Sequence, residues 1–146
     1  MDSGPDPPYV WVDGEGALTA NLISIVDDDA AVRTTTARLI EAFGFRAAAF
    51  ESAESFLRSD QVGETSCLVA DVQMPGMDGF ELQRRLAAAG RDIPVIFITA
   101  YHATVSRERA MQGGAIAFLN KPFSEELLLQ TVRAALKQSD TSTKNR

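Results

Sequence analysis

The sequence predicts a doubly wound α/β fold, with five parallel strands in one sheet and helices on both faces as a three-layer sandwich. Three observations predict it. Short apolar runs alternate with segments whose apolar residues recur at helical spacing, the pattern of repeated strand-helix units. The runs Leu22-Ile23-Ser24-Ile25-Val26 and Pro94-Val95-Ile96-Phe97-Ile98-Thr99 are apolar almost throughout, as strands covered on both faces are. Acidic, hydroxyl and basic residues follow the ends of these runs, where open α/β sheets place their functional groups.

The first strand, residues 22–26, ends in Asp27-Asp28-Asp29. Val32, Thr36, Leu39, Ile40 and Phe43 then recur at helical spacing, with Asp29 as the cap and Gly44 as the stop. Residues 45–50 form the second strand, and Ser52 caps a helix carrying Phe56 and Leu57. Residues 67–70 make the third strand and residues 79–89 the third helix, stopped by Gly90. The Pro75-Gly76-Met77-Asp78-Gly79 segment between them is a sharp turn. Residues 94–99 are the fourth strand, residues 105–112 a weaker fourth helix ended by Gly113-Gly114, and residues 115–119 the fifth strand. Ser124 opens the fifth helix, with Glu125 and Glu126 in its first turn and Leu127, Leu128, Val132 and Leu136 as its apolar stripe. Residues 1–20, rich in Pro, Gly and Asp and without periodicity, form a flexible leader in which Tyr9, Val10 and Trp11 could touch a surface. Residues 21–138 are one domain, and residues 139–146 a frayed polar tail or the start of a linker.

A chain of 146 residues is long enough for one domain with a sizeable core, and 45% hydrophobic and 23% charged residues are ordinary for a globular protein. A net charge of −6 argues against direct nucleic-acid binding by general electrostatics and suits carboxylates gathered around a cation. The single cysteine, Cys67, excludes an intrachain disulfide and a multi-cysteine metal site; inside an apolar run it reads as a buried, inert thiol. No apolar stretch approaches membrane-spanning length and the start lacks the features of a signal peptide, so no membrane contact and a cytoplasmic location are expected.

The strand ends offer Asp27 and Asp28 after the first, Asp71 after the third, Thr99 and Ala100 after the fourth, and Lys121 after the fifth. Singly, each has a plain explanation: acidic groups decorate helix starts, Asp71 precedes a turn, Thr99 is a strand residue and Lys121 a solvated charge. Jointly, at one edge of one sheet, they point to chemistry. Three carboxylates so close resist ionising together, and a hard divalent cation with oxygen ligands and retained waters relieves them, which suits Mg²⁺. Asp28, Asp71 and the Gln73 backbone carbonyl are the expected ligands, with Asp27 acting from behind them or through water. Lys121 and Thr99 would hold oxygens of a phosphoryl group, and Asp71 would be the nucleophile that takes it as an aspartyl phosphate.

Val26-Asp27-Asp28-Asp29, the stretch from Asp71 through Met74-Pro75-Gly76-Met77-Asp78-Gly79, Ile98-Thr99-Ala100 and Asn120-Lys121-Pro122-Phe123 occur in order and at domain-like spacing. With them the chain resembles a response-regulator receiver domain of two-component signalling, over roughly residues 22–137. The wording of residues 97–100 and 117–123 is similar to the FixJ-like branch. The resemblance implies a flavodoxin-like fold in which Asp71 accepts phosphate from a histidine kinase. It implies Mg²⁺, replaceable by Mn²⁺, on Asp28, Asp71 and the Gln73 carbonyl with Asp27 nearby, and contacts from Thr99, Ala100 and Lys121 to the phosphoryl group. Phe118 would change rotamer as Thr99 moves, switching the face made by the fourth helix, fifth strand and fifth helix; spacing alone reads Phe118 as core. Gln73 and Tyr101 flank the acceptor and would tune hydrolysis. The chain would be a signalling phosphoacceptor rather than an enzyme on other substrates, catalysing its own phosphotransfer and slow dephosphorylation. Pairing through the fourth helix and fifth strand after phosphorylation is expected too. In the FixJ-like branch a linker to a DNA-binding domain begins about where this sequence ends, so transcriptional output through such a domain and a single-domain regulator both stay open.

Three rivals are weaker. An aspartate-dependent phosphohydrolase needs a second acid two residues after the nucleophile, where this chain has Gln73. A nucleotide- or flavin-binding module needs a glycine-rich loop after the first strand, where three aspartates stand. A degenerate receiver acting only as an interaction surface would lack key residues, and each is present. His102, the lone histidine, reads as a loop residue.

Overall fold

The computed structural model describes residues 21–100 and 104–144. The strands β1 (Leu22–Val26), β2 (Arg46–Phe50), β3 (Thr65–Asp71), β4 (Val95–Thr99) and β5 (Ala117–Asn120) pair in parallel in the order β2-β1-β3-β4-β5. That is the order of flavodoxin-like doubly wound sheets, whose ligands bind beyond the carboxyl ends of the strands where the order reverses. The helices are α1 (Ala30–Ala42), α2 (Ala53–Leu57), α3 (Gly79–Ala88), α4 (Thr104–Gln112) and α5 (Glu125–Lys144), with a short 3-10 turn at Val62–Glu64.

Successive strand residues point to opposite faces, so each apolar strand feeds two cores. Ile23, Ile25, Cys67, Val69, Ile96 and Ile98 pack under Ile40 of α1 and Leu128, Val132 and Ala135 of α5. Val26, Leu68, Ala70, Val95 and Phe97 pack under Phe56 of α2, Phe80, Leu82 and Leu86 of α3, and Ala110 of α4. The buried hydroxyls on β1 and β3 satisfy each other in series. Thr65 donates to the Gln61 carbonyl at 2.6 Å, which leaves Ser24 to donate to Thr65 at 2.7 Å.

The expected caps form. Asp29 accepts from the amides of Ala31 and Val32, and Ser52 from that of Ser55. Asp78, expected only as part of a turn, caps α3 by accepting from the Glu81 amide at 2.9 Å. Several element ends differ from expectation, most by a residue or two, and three differences have a clear cause or consequence. β3 runs to Asp71, whose backbone joins the ladder opposite Ile98. β5 starts at Ala117, because the Ala115 amide closes α4 by donating to the Ala110 carbonyl. Helix α5 continues to Lys144, through most of the tail expected from residue 139, since no Gly or Pro follows Pro122 to stop it. The leader, residues 1–20, lies outside the described residues. Among those described, no helix is long and apolar enough to cross a membrane.

Cys67 is fully buried, and burial pushes its thiol up from 9.0 to about 12. At pH 8 only about one thiol in ten thousand is then ionised. The native protein should stay unlabelled by a thiol reagent at pH 8 and label fully in urea. Rapid labelling of the native protein would contradict this burial.

Candidate functional site

Asp27, just past the end of β1, and Asp71, the last residue of β3, continue the rows Ile23-Ile25 and Cys67-Val69 on two neighbouring strands. The register Val26↔Ala70 brings them side by side. Both are buried, Asp27 completely, while Asp28 turns outward to solvent. Carboxylate oxygens of Asp27, Asp28 and Asp71 all lie within 4.8 Å of one another. The Lys121 ammonium reaches over from the loop after β5, 3.0 Å from Asp27 Oδ2 and 3.1 Å from Asp71 Oδ2. Its backbone amide donates to the Thr99 carbonyl at 2.8 Å, which ties its loop to the end of β4.

The electrostatics are those of a cluster short of positive charge. Burial, with the neighbouring Asp27 carboxylate adding to it, raises the Asp71 carboxyl above its ordinary value; Lys121 and the Gln73 amide pull the other way and do not prevail. Burial alone would lower the Lys121 ammonium, but its contacts with Asp27 and Asp71 outweigh that and hold it above the usual lysine value. Asp71 Oδ1 accepts from the Gln73 amide at 3.1 Å, and Asp27 Oδ1 from the Asp29 amide at 2.9 Å. Asp27 Oδ2 is buried and, beside its ion pair with Lys121, makes no aligned hydrogen bond among the described residues. A buried carboxylate oxygen left so, within a three-carboxylate cluster of hard donors, fits a small divalent cation. Asp27 thus belongs to the same carboxylate cluster as Asp28 and Asp71, with one oxygen of each within 4.8 Å of the others.

Thr99 is buried at the end of β4, in the row of Val95 and Phe97. Phe118 is buried on the same side of the sheet, opposite Phe97 across the β4–β5 ladder. Gln73 and Ala100 are exposed beside the site. Tyr101 and His102 lie outside the described residues. The structure therefore brings Asp27, Asp28, Asp71 and Lys121 into contact and puts Thr99, Ala100 and Gln73 around them.

The sequence-profile comparison decides the family: the response regulator receiver domain profile matches residues 23–133. The chain belongs to this family. The receiver domain is 42% identical over 127 residues to the response regulator protein TmoT of Ectopseudomonas mendocina, an alignment covering 86% of this chain and 57% of that protein. It is 34% identical over 127 residues to the transcriptional regulatory protein FixJ of Bradyrhizobium diazoefficiens, covering 87% of this chain and 62% of FixJ. The solved structure of the response regulator StyR superposes with a TM-score of 0.80 at 38% identity, over 87% of this chain and 64% of that one. The receiver domain spans only a little over half the length of the curated relatives it matches. The expected resemblance to the FixJ-like branch is borne out.

Three positioning contacts escaped the sequence reading. Arg33 of α1 donates to the Asp27 carbonyl at 2.7 Å, and its signal was hidden because it lies on the polar side of a helix. Glu54 of α2 accepts from the Met77 amide at 3.2 Å and so braces the turn after Asp71 from a separate element. Arg109 of α4 lies over the Phe80 ring. Each joins elements distant in sequence, and no local motif carries such information.

Proposed function

We propose that this receiver domain is an active phosphoacceptor, taking phosphate from a histidine kinase on Asp71. The observation that carries the proposal is the buried Asp71 carboxylate, clustered with those of Asp27 and Asp28 and sharing the Lys121 ammonium with Asp27. In the transfer an Asp71 oxygen bonds to phosphorus, the phosphorus–nitrogen bond of a phosphohistidine breaks, and its electron pair returns to the imidazole. Asp27, Asp28, Asp71 and the Gln73 carbonyl would hold Mg²⁺, or Mn²⁺ in its place, which when bound neutralises charge on the phosphoryl oxygens. Lys121, already 3.1 Å from the acceptor carboxylate, would pair with a second phosphoryl oxygen, with Thr99 and the Ala100 backbone at a third. Gln73 and Tyr101 would set the hydrolysis rate by admitting or shielding water.

The kinase would dock over α1. An open groove of about 460 Å³, lined by Val32, Thr35 and Leu39 of α1 and by Pro122 and Phe123, lies beside Lys121 and suits an apolar helical surface. Output would follow when Thr99 and Phe118 shift and alter the face of α4, β5 and α5, controlling transcription or partner binding in the cytoplasm. Met111 of α4 and Leu127 of α5, exposed at 45% and 43%, would then contribute to a homodimer. Light scattering with and without a phosphate mimic should show the dimer only with the mimic; one unchanged monomeric mass would remove this part of the proposal.

The central test is incubation with acetyl phosphate and Mg²⁺ followed by intact-mass measurement. The wild-type chain should gain one phosphate-sized adduct and the Asp71→Asn variant none. An adduct that survives the substitution, or no adduct on wild type, would overturn the assignment.

A further inference from the structure

Helix α4 is attached to the domain differently from its neighbours. The other four helices each bury a large apolar side chain: Ile40, Phe56, Leu82 and Leu128 are fully enclosed. Among its described side chains, α4 buries only Ala110 and exposes Met111. A single buried methyl group gives little hydrophobic attachment. Two arginines supply other contacts. The Arg109 guanidinium lies 4.4 Å from the centroid of the Phe80 ring, and Phe80 meets Phe97 edge-on with centroids 5.2 Å apart. Arg107 donates to the Phe118 carbonyl at 3.4 Å. Phe118 stands opposite Phe97 across the β4–β5 ladder, so one arginine holds an aromatic ring packed on β4 and the other the backbone of β5 beside it, below the strand end that carries Thr99. Arg109 also borders a polar hollow of about 540 Å³ with Gln73, Met74 and Pro75 of the loop that follows Asp71.

We infer that Arg109, aided by Arg107, is a positioning residue that fixes where α4 docks and sets how often the helix leaves that position. A guanidinium over an aromatic face is attracted by the ring quadrupole and depends on the ring staying in place. A helix held by an apolar stripe must expose that stripe to move, whereas the described side chains of α4, residues 107–112, give up one buried methyl group and two polar contacts whose donors water can satisfy. Rearrangement at Phe97, Phe118 or the loop after Asp71 therefore reaches α4 directly. The docking of α4 follows from these contacts alone, while its coupling to phosphorylation rests on the function proposed above.

Amide hydrogen exchange on the full chain, read by mass spectrometry, tests the docking. Arg109→Met keeps an unbranched stem and loses the charge, and it should speed exchange in residues 108–112 about two- to fivefold. Exchange in β1 and β3 should stay unchanged. Arg109→Lys should restore most of the protection. Phe80→Leu should match Arg109→Met, and the double variant should exchange no faster than either. Unchanged α4 exchange in Arg109→Met, or fully additive effects in the double variant, would overturn the inference. The acetyl phosphate labelling rate tests the coupling. It should change in the same rank order as the exchange, and equal rates across variants with faster α4 exchange would overturn the coupling. Absence of label on every variant, wild type included, would count against the proposed function alone, since exchange still decides the docking.

Discussion

Replacing Lys121 with methionine is expected to destabilise the metal-free protein by about 2–4 kcal/mol, with part of the loss returned by Mg²⁺. The substitution keeps the stem and removes the one ammonium found between two buried carboxylates, Asp27 and Asp71, at 3.0 and 3.1 Å. Breaking a buried pair from one side leaves charge uncompensated, and the cost falls short of the largest cases because the Lys121 side chain keeps 16% exposure. The pH dependence has a definite sign. With its native value raised above 10.5, Lys121 stabilises the fold fully below pH 10.5, and this contribution is lost as pH climbs through that native value. Asp71 is also raised, from 3.8, so its contribution is present below pH 3.8 and is lost as pH rises through its native value. The gap between wild type and Lys121→Met should therefore be full at pH 7 and narrow above pH 10.5. Urea unfolding in EDTA at both pH values measures it. Equal stabilities at pH 7 would mean that the ammonium offsets little of the carboxylate repulsion.

Gly79→Ala should lower stability by about 2–3 kcal/mol and the melting temperature by roughly 5–10 °C. Alanine normally favours a helix over glycine by up to about 1 kcal/mol, so propensity alone predicts the opposite sign. At Gly79 sterics prevail. A Cβ there would stand 2.6 Å from the Asp71 carbonyl oxygen, 3.0 Å from Phe97 Cε1 and 3.1 Å from Val72 Cα, two of them backbone atoms that cannot swing aside. The first turn of α3 must move outward or the end of β3, which carries Asp71, must shift. Gly90→Ala is the control. Its Cβ would meet nothing within 4 Å, and its φ of +76° should cost about 1–2 kcal/mol with no effect at the site. Acetyl phosphate labelling should fall sharply in Gly79→Ala and stay normal in Gly90→Ala. Retained labelling with unchanged stability in Gly79→Ala would mean that the contact relaxes at no cost.

The fold was legible because its signals are local and repeated. Ile23 and Ile25 alternate with Val26, and Asp29 and Ser52 announce helix starts, so each element could be read within its own window. The convergence of Asp27, Asp28, Asp71 and Lys121 was legible for a different reason: a parallel sheet obliges its carboxyl ends to share one edge. What stayed hidden depends on distances between elements. Nothing near Glu54 tells that it braces Met77, and nothing in Thr104–Gln112 tells that Arg109 finds an aromatic ring. The extent of α5 was misread because polar composition suggested fraying, while the absence of a breaker lets the helix continue.

The sheet separates its side chains into two sets with different addresses. Asp27 and Asp71 rise from the rows that pack beneath α1 and α5, while Thr99 and Phe118 belong to the side covered by α2, α3 and α4. Substitutions in the α1 groove can therefore be made without touching the residues under α4, and changes in α4 leave that groove as it was; on the function proposed above, the first would alter which donor is recognised and the second the response. The sheet acts as a bulkhead, and the loops at its carboxyl edge are the passage across it.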